Sequence, residues 1–238
     1  MVEGPSADQG RKTCQPVGGT DGVRFGAMTT TAAAATLALM AALDWLAVHR
    51  LWARVEQVAK PLVMVALGWL ALTMGAAQHG VGRLLLVALV LSLIGDVFLL
   101  GKGTAHFAGG LLSFLMAHIA FVAAFLTQGF HLWSALLGLL IAAALGLTSG
   151  RRIMRAAAQE GGPGLGGAVT AYMVVIAAVV VTAGGTARPL VVVGALAFLL
   201  SDTVLALDRF VGPRAHARVV VIVAYHLGQT MRVVGALR

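Results

Sequence analysis

The sequence predicts an all-α fold, a polytopic membrane helical bundle of about eight transmembrane helices, and three observations carry that prediction. Hydrophobic residues make up 59% of the 238 positions and charged residues only 11%, where a soluble domain carries about 25% charged residues. Mean hydropathy is +0.92. Apolar runs close to the roughly 20 residues needed to cross a bilayer recur along the chain, separated by short polar breaks.

The runs, in order, cover residues 27–48, 61–77, 83–100, 107–127, 132–148, 166–183, 189–207 and 217–237. Residues 27–238 therefore read as one eight-helix membrane domain, and residues 1–26 as a polar, Gly-rich N-terminal tail expected to be disordered. An internal methionine, Met28, stands at the start of the first run, which suggests a dispensable extension or a misplaced start codon. The first run has the length of a span and no small-residue cleavage site follows it, which argues against a signal peptide. The single cysteine, Cys14, lies in the tail and excludes an intramolecular disulfide or a thiolate metal site. The second run opens with Lys60 directly before Pro61, a natural first residue of a helix.

The net charge of +8 points to loop asymmetry rather than to nucleic acid, because the basic residues are scattered over short loops without interleaved aromatics. Alternating helices place Arg50, Arg54, Lys60, Lys102, Arg151, Arg152, Arg155, Arg209, Arg214 and Arg218 at one end, and only Arg83 and Arg188 at the other. The positive-inside rule assigns the basic end to the cytoplasm. Arg11, Lys12 and Arg24, beside the first helix, oppose that orientation.

Two acids interrupt apolar segments, Asp96 in "SLIGDVFLL" and Asp202 in "LLSDTVLAL". An acid at mid-helix depth costs about 2.5–3.5 kcal/mol on insertion scales, so such residues usually face the bundle interior and carry function. Both helices run in the same direction, which places both acids in the same half of the bilayer, beside the basic loops. Ser92 shares the face of Asp96 at i,i+4. Ser201 adjoins Asp202, and "AYHLGQTMR" contributes Tyr225, His226 and Gln229, with His118 near the middle of the fourth helix. Asp44 faces the same half with less supporting pattern. Each of these residues also has a structural reading: helix-end acids tie to a neighbouring Lys or Arg, and intramembrane histidines and serines form interhelical hydrogen bonds. The acid-to-histidine order repeats, Asp96 then His118 and Asp202 then His226, and suggests a four-helix unit duplicated in parallel with related sites at the repeat interface.

Together with "KPL" at Lys60, "FAGGLLSFLMAH" ending at His118, "GALAFLLSDTVLAL" and "YHLGQ", these segments make a chain that resembles the YhhN family of polytopic membrane proteins, which includes the animal transmembrane lysoplasmalogenases. The resemblance implies an eight-helix enzyme of the bacterial cell membrane that hydrolyses the vinyl ether bond of lysoplasmalogens, a lysophospholipid substrate, to a fatty aldehyde and a glycerophospho-base. It matches the family's aspartates to Asp96 and Asp202, its helix-leading lysine to Lys60, and its final-helix tyrosine and glutamine to Tyr225 and Gln229. One departure is Phe121, where the family pattern calls for a tyrosine three residues after the histidine.

Vinyl ether cleavage begins with protonation of the outer alkene carbon and passes through an oxocarbenium ion captured by water. Two neighbouring carboxyls suit this, one as acid and one to stabilise the cation and activate water, as in two-carboxylate glycoside hydrolysis. The expected site is therefore catalytic Asp96 and Asp202, with Lys60 attracting the lipid phosphate and Ser92, His118, Ser201, Tyr225, His226 and Gln229 binding or orienting, and with no metal or cofactor. Two alternatives draw on the same residues: a zinc hydrolase with Asp96, His118 and His226 as ligands, although no H-x-x-x-H or H-E-x-x-H spacing is present, and a proton-coupled transporter.

Overall fold

The computed structural model describes the backbone of residues 19–238, with side chains from Met28 onward. The tail reading of residues 1–18, with Cys14, lies outside the described residues. Among the described residues the chain is helical throughout and forms no strand.

Eight helices follow one another: α1 (Gly19–Arg50), α2 (Ala53–Thr73), α3 (Gly80–Leu100), α4 (Thr104–Leu126), α5 (Leu132–Leu145), α6 (Arg151–Gly185), α7 (Pro189–Ala206) and α8 (Ala217–Leu237). Seven helical stretches are long and apolar enough to cross a membrane. The fifth of them, Leu132–Gly185, is 54 residues long and would reach about 80 Å if straight, against a hydrocarbon core of about 30 Å. It folds back on itself instead. Gly161 and Gly162 leave helical geometry, with Gly162 at φ 72°, and Pro163 starts the return. Glycine alone tolerates that conformation without strain. With its two arms counted separately, the bundle has about eight stretches that could span a membrane.

Helix α1 begins at Gly19, inside the stretch read as the tail, and two further boundaries differ from the sequence expectation. Helix α2 begins at Ala53, so Pro61 lies inside it rather than at its first turn. The missing amide hydrogen of Pro61 costs one intrahelical bond, which helices in apolar surroundings tolerate through local adjustment. In the second case, α5 continues through a π-turn, Gly146–Gly150, into α6. Arg151, Arg152 and Arg155 therefore stand on an exposed helical arm and not in a loop. No residue in that stretch breaks a helix before Gly161. A second π-turn, Leu207–Val211, extends α7.

The bundle is built from antiparallel hairpins, α1 with α2, α3 with α4, α5 with α6 and α7 with α8. Its core is a band of small and aromatic side chains, among them Ala71, Ala88, Phe121, Phe125 and Val191, each fully buried. Large apolar residues such as Leu112, Trp133, Leu140 and Val174 are turned outward, as a lipid-facing surface requires. Helices α7 and α8 cross closely: a β-carbon at Gly228 would stand 2.8 Å from the Phe198 backbone nitrogen and 2.9 Å from the Gly194 carbonyl. Small residues at such crossings let backbones touch where no hydrophobic force drives helices together.

Candidate active site

At the basic end of the bundle the helices part around a cavity of about 610 Å³, within the range of small-ligand sites. Five of the nine residues expected at the site line it: Lys60, Asp96, Ser201, Asp202 and Tyr225. They arrive from α2, α3, α7 and α8, and the two acids share one chamber. Its remaining wall is largely apolar, with Leu111, Ile153, Val169, Met173 and Ile222, while Glu56, Asp208, Arg209 and Arg218 bring charge to it. Arg218 pairs with Glu56 at 2.7 Å. Both π-turns contribute lining residues, Gly146, Ser149 and Gly150 from one and Asp208, Arg209 and Phe210 from the other. Interruptions of this kind recur at functional sites because they displace a helix locally.

The two aspartates are held differently. Asp96 is 1% exposed. Its Oδ1 lies 3.2 Å from the Lys60 ammonium, and its Oδ2 accepts a hydrogen bond from the Tyr225 hydroxyl at 2.6 Å. Lys60, expected to attract the lipid phosphate, pairs with Asp96 and still borders the cavity. Asp202 accepts a hydrogen bond at Oδ2 from Tyr172, also at 2.6 Å, and is partly accessible at the cavity wall. The chain has only two tyrosines, and each donates to one of these acids.

Four expected residues stand behind the cavity rather than on it. Gln229 and Ser92 are both fully buried, and the Gln229 amide donates to Ser92 Oγ at 3.0 Å and to the Tyr225 oxygen at 3.5 Å. His118 donates through Nδ1 to the Phe114 carbonyl at 2.5 Å. Its ring meets Phe198 edge-on at 4.7 Å and Tyr172 at 5.6 Å between centroids, so it braces the tyrosine that holds Asp202. His226, next to Tyr225 in sequence, is turned about 100° around the helix from it and faces α1. Its Nδ1 accepts from Trp45 Nε1 at 3.1 Å, and its Nε2 stands 3.9 Å from Asp44. Asp44 is fully buried. Asp96, His118 and His226 thus point into three different environments, and among the described residues no three His, Cys, Asp or Glu side chains gather as a metal site. Ser201 lines the cavity wall, but its hydroxyl donates to the Val221 carbonyl at 2.9 Å and ties α7 to α8.

Sequence reasoning missed Tyr172 and Arg232. Arg232 is fully buried, donates to Gln229 Oε1 at 2.9 Å, and lies between the rings of Phe121 and Phe198, 4.1 Å from each. Phe121 thus carries a cation–π contact at the position where the family pattern calls for a tyrosine. Two signals were available: Arg232 follows Tyr225 and Gln229 at i+7 and i+3 on one face of α8, and Tyr172 is one of only two phenols in the chain.

The profile of the YhhN family matches residues 55–236. Human lysoplasmalogenase TMEM86B is 35% identical over 162 residues, covering 67% of this chain and 66% of that protein. Human lysoplasmalogenase TMEM86A is 29% identical over 181 residues, covering 67% of this chain and 70% of that protein, and its Bos taurus counterpart aligns with the same identity and coverage. The chain thus spans about two thirds of the length of these relatives. No solved structure matches it. A match over residues 55–236, which includes both aspartates and both tyrosines that hold them, makes this chain a member of the YhhN family.

Proposed function

We propose that this protein is a multi-pass membrane hydrolase that cleaves the vinyl ether bond of lysoplasmalogens, releasing a fatty aldehyde and a glycerophospho-base. One observation carries the proposal: a buried and a half-buried aspartate, each held by its own tyrosine, line one apolar chamber with charged groups along part of its wall. The alkenyl chain of a single-chain lipid lies along the apolar wall formed by α4, α6 and α8, and its head group stays near Arg209 and Arg218. The family match and the lysoplasmalogenase relatives support the substrate class.

The chemistry divides between the two carboxyls. One gives a proton to the outer alkene carbon, and the other stabilises the oxocarbenium ion and activates the water that captures it as a hemiacetal. Such proton transfers by positioned side chains contribute about 10²–10⁴-fold each. A chamber walled by apolar side chains strengthens the attraction between carboxylate and cation by lowering the local dielectric. The basic end of the bundle, and with it the chamber, faces the cytoplasm of a bacterial cell membrane, as loop charge directs.

The test is aldehyde release from a lysoplasmalogen by purified protein in detergent, followed by mass spectrometry beside a saturated lysophospholipid. Aldehyde from the vinyl ether alone is the expected outcome. Folded protein that releases none overturns the reading.

A further inference from the structure

We propose that the two aspartates have fixed and different roles: Asp202 donates the proton to the alkene carbon, and Asp96 is the standing carboxylate that faces the cation and receives the proton of water. The proposal rests on the hydrolase reading above. Its argument is the contrast between their hydrogen-bond partners.

Asp96 has a donor on each oxygen, the Lys60 ammonium at Oδ1 and the Tyr225 hydroxyl at Oδ2. A proton on this carboxyl would have to displace one of them, and charge-assisted donors of this kind favour the ionised acceptor. The phenol has little freedom to turn around. Arg232 donates to Gln229 Oε1, which turns the Gln229 amide nitrogen toward Ser92 and toward the Tyr225 oxygen. The phenol oxygen faces that donor, so its own proton goes to Asp96. Arg232 and Gln229 are therefore positioning residues, acting on Asp96 through Tyr225.

Asp202 has one donor, Tyr172, at Oδ2. Among the described residues its Oδ1 receives no hydrogen bond and no Lys or Arg pairs with it, and it borders the cavity. A carboxyl in this setting has one oxygen free to carry a proton and present it to a ligand. Tyr172, braced by His118, is the positioning residue on this side.

The proton inventory closes. Asp202 gives its proton to the outer alkene carbon, forming the C–H bond and leaving the cation on the carbon attached to oxygen. Water adds to that carbon and passes a proton to Asp96, which gives the hemiacetal. As the bond to the glycerol oxygen breaks, Asp96 returns its proton to that oxygen and Asp202 takes the hemiacetal hydroxyl proton. Both side chains are restored, and one water is consumed.

The experiment uses the purified full chain in detergent with a lysoplasmalogen at neutral pH, in the Asp96→Ala and Asp202→Ala variants, with and without sodium azide. Each substitution should lower aldehyde release about 10²–10⁴-fold. Azide, an anionic nucleophile that needs no base, should raise turnover of Asp96→Ala at least tenfold, with an α-azido ether as product, and leave Asp202→Ala unchanged. A second measurement uses the isosteric Asp96→Asn and Asp202→Asn variants and a lysophospholipid analogue with a secondary ammonium in place of the vinyl ether. Its binding should weaken at least tenfold in Asp96→Asn and stay within threefold of wild type in Asp202→Asn. Tyr172→Phe should lower kcat and leave KM unchanged. Aldehyde release by wild type with the azide or binding pattern reversed overturns the assignment alone; no aldehyde from folded wild type overturns the hydrolase reading and the assignment with it.

Discussion

The two ends of the bundle are built on opposite rules. At the end that carries the α5 and α7 starts, backbones touch: β-carbons at Gly138, Gly184 and Gly235 would meet the Val180 carbonyl, the Ser134 carbonyl and the Val191 nitrogen at 2.8, 2.5 and 2.9 Å. At the other end the same hairpins open, α5 and α7 pass into π-turns, and charged and polar groups enter the gap. Glycines bring backbones together at one end of the hairpins, whereas at the other they meet mainly side chains such as Phe98, Leu99 and Met173, and a chamber opens between the helices. The closed end thus sets stability and the open end activity, and substitutions at each should separate the two.

The largest effect should come from the open end. Asp96→Asn and Asp202→Asn should each cost about 10²–10⁴ in kcat, while the double variant loses far less than the product of the two because the acids act as a unit. Detergent thermal unfolding beside the aldehyde assay checks that neither loss reflects misfolding. Next comes Arg232→Met, which keeps bulk between Phe121 and Phe198 but leaves Gln229 Oε1 without its donor. It should cost about 1–3 kcal/mol of stability and also lower kcat, the one change expected to cross the division between the ends.

At the α7–α8 crossing, Gly228→Val forces the helices apart against the Phe198 and Gly194 backbone. A loss of about 1–3 kcal/mol is expected, read as a lower unfolding temperature, with kcat per folded molecule retained. If kcat falls in step with stability, the two ends are not independent. The smallest effect belongs to the exposed Arg209–Glu160 pair, whose side chains are 40% and 41% accessible. Glu160→Gln should change stability by no more than about 1 kcal/mol, screened by salt, and a larger change would show that this pair holds the turn of α7 against the folded arm of α6.

Legibility varied with the kind of signal. Asp96 and Asp202 stood out because a carboxylate in an apolar run has few explanations, and the i,i+4 spacing of Tyr225 and Gln229 put them on one face of α8. The i,i+3 spacing that set His226 beside Gln229 did not settle its orientation: three residues along a helix leave the two about 60° apart, and the His226 ring faces Asp44 and Trp45. Tyr172 stood out only as one of two phenols, because it comes from a different hairpin and nothing local on α6 says which acid lies 30 residues further along the chain and across the chamber.

Composition and periodicity by themselves determined a helical membrane bundle, its approximate spans, and two acids at one depth, because hydropathy and the rise per residue are local quantities. Tertiary structure alone decided that the long fifth stretch folds at Gly161 and Gly162, that Pro61 sits within its helix, and that Lys60 stands beside Asp96. It alone decided which tyrosine holds which aspartate. Those outcomes depend on how hairpins approach one another, and that is set by contacts between residues far apart in sequence, where helix-end and spacing rules have no reach.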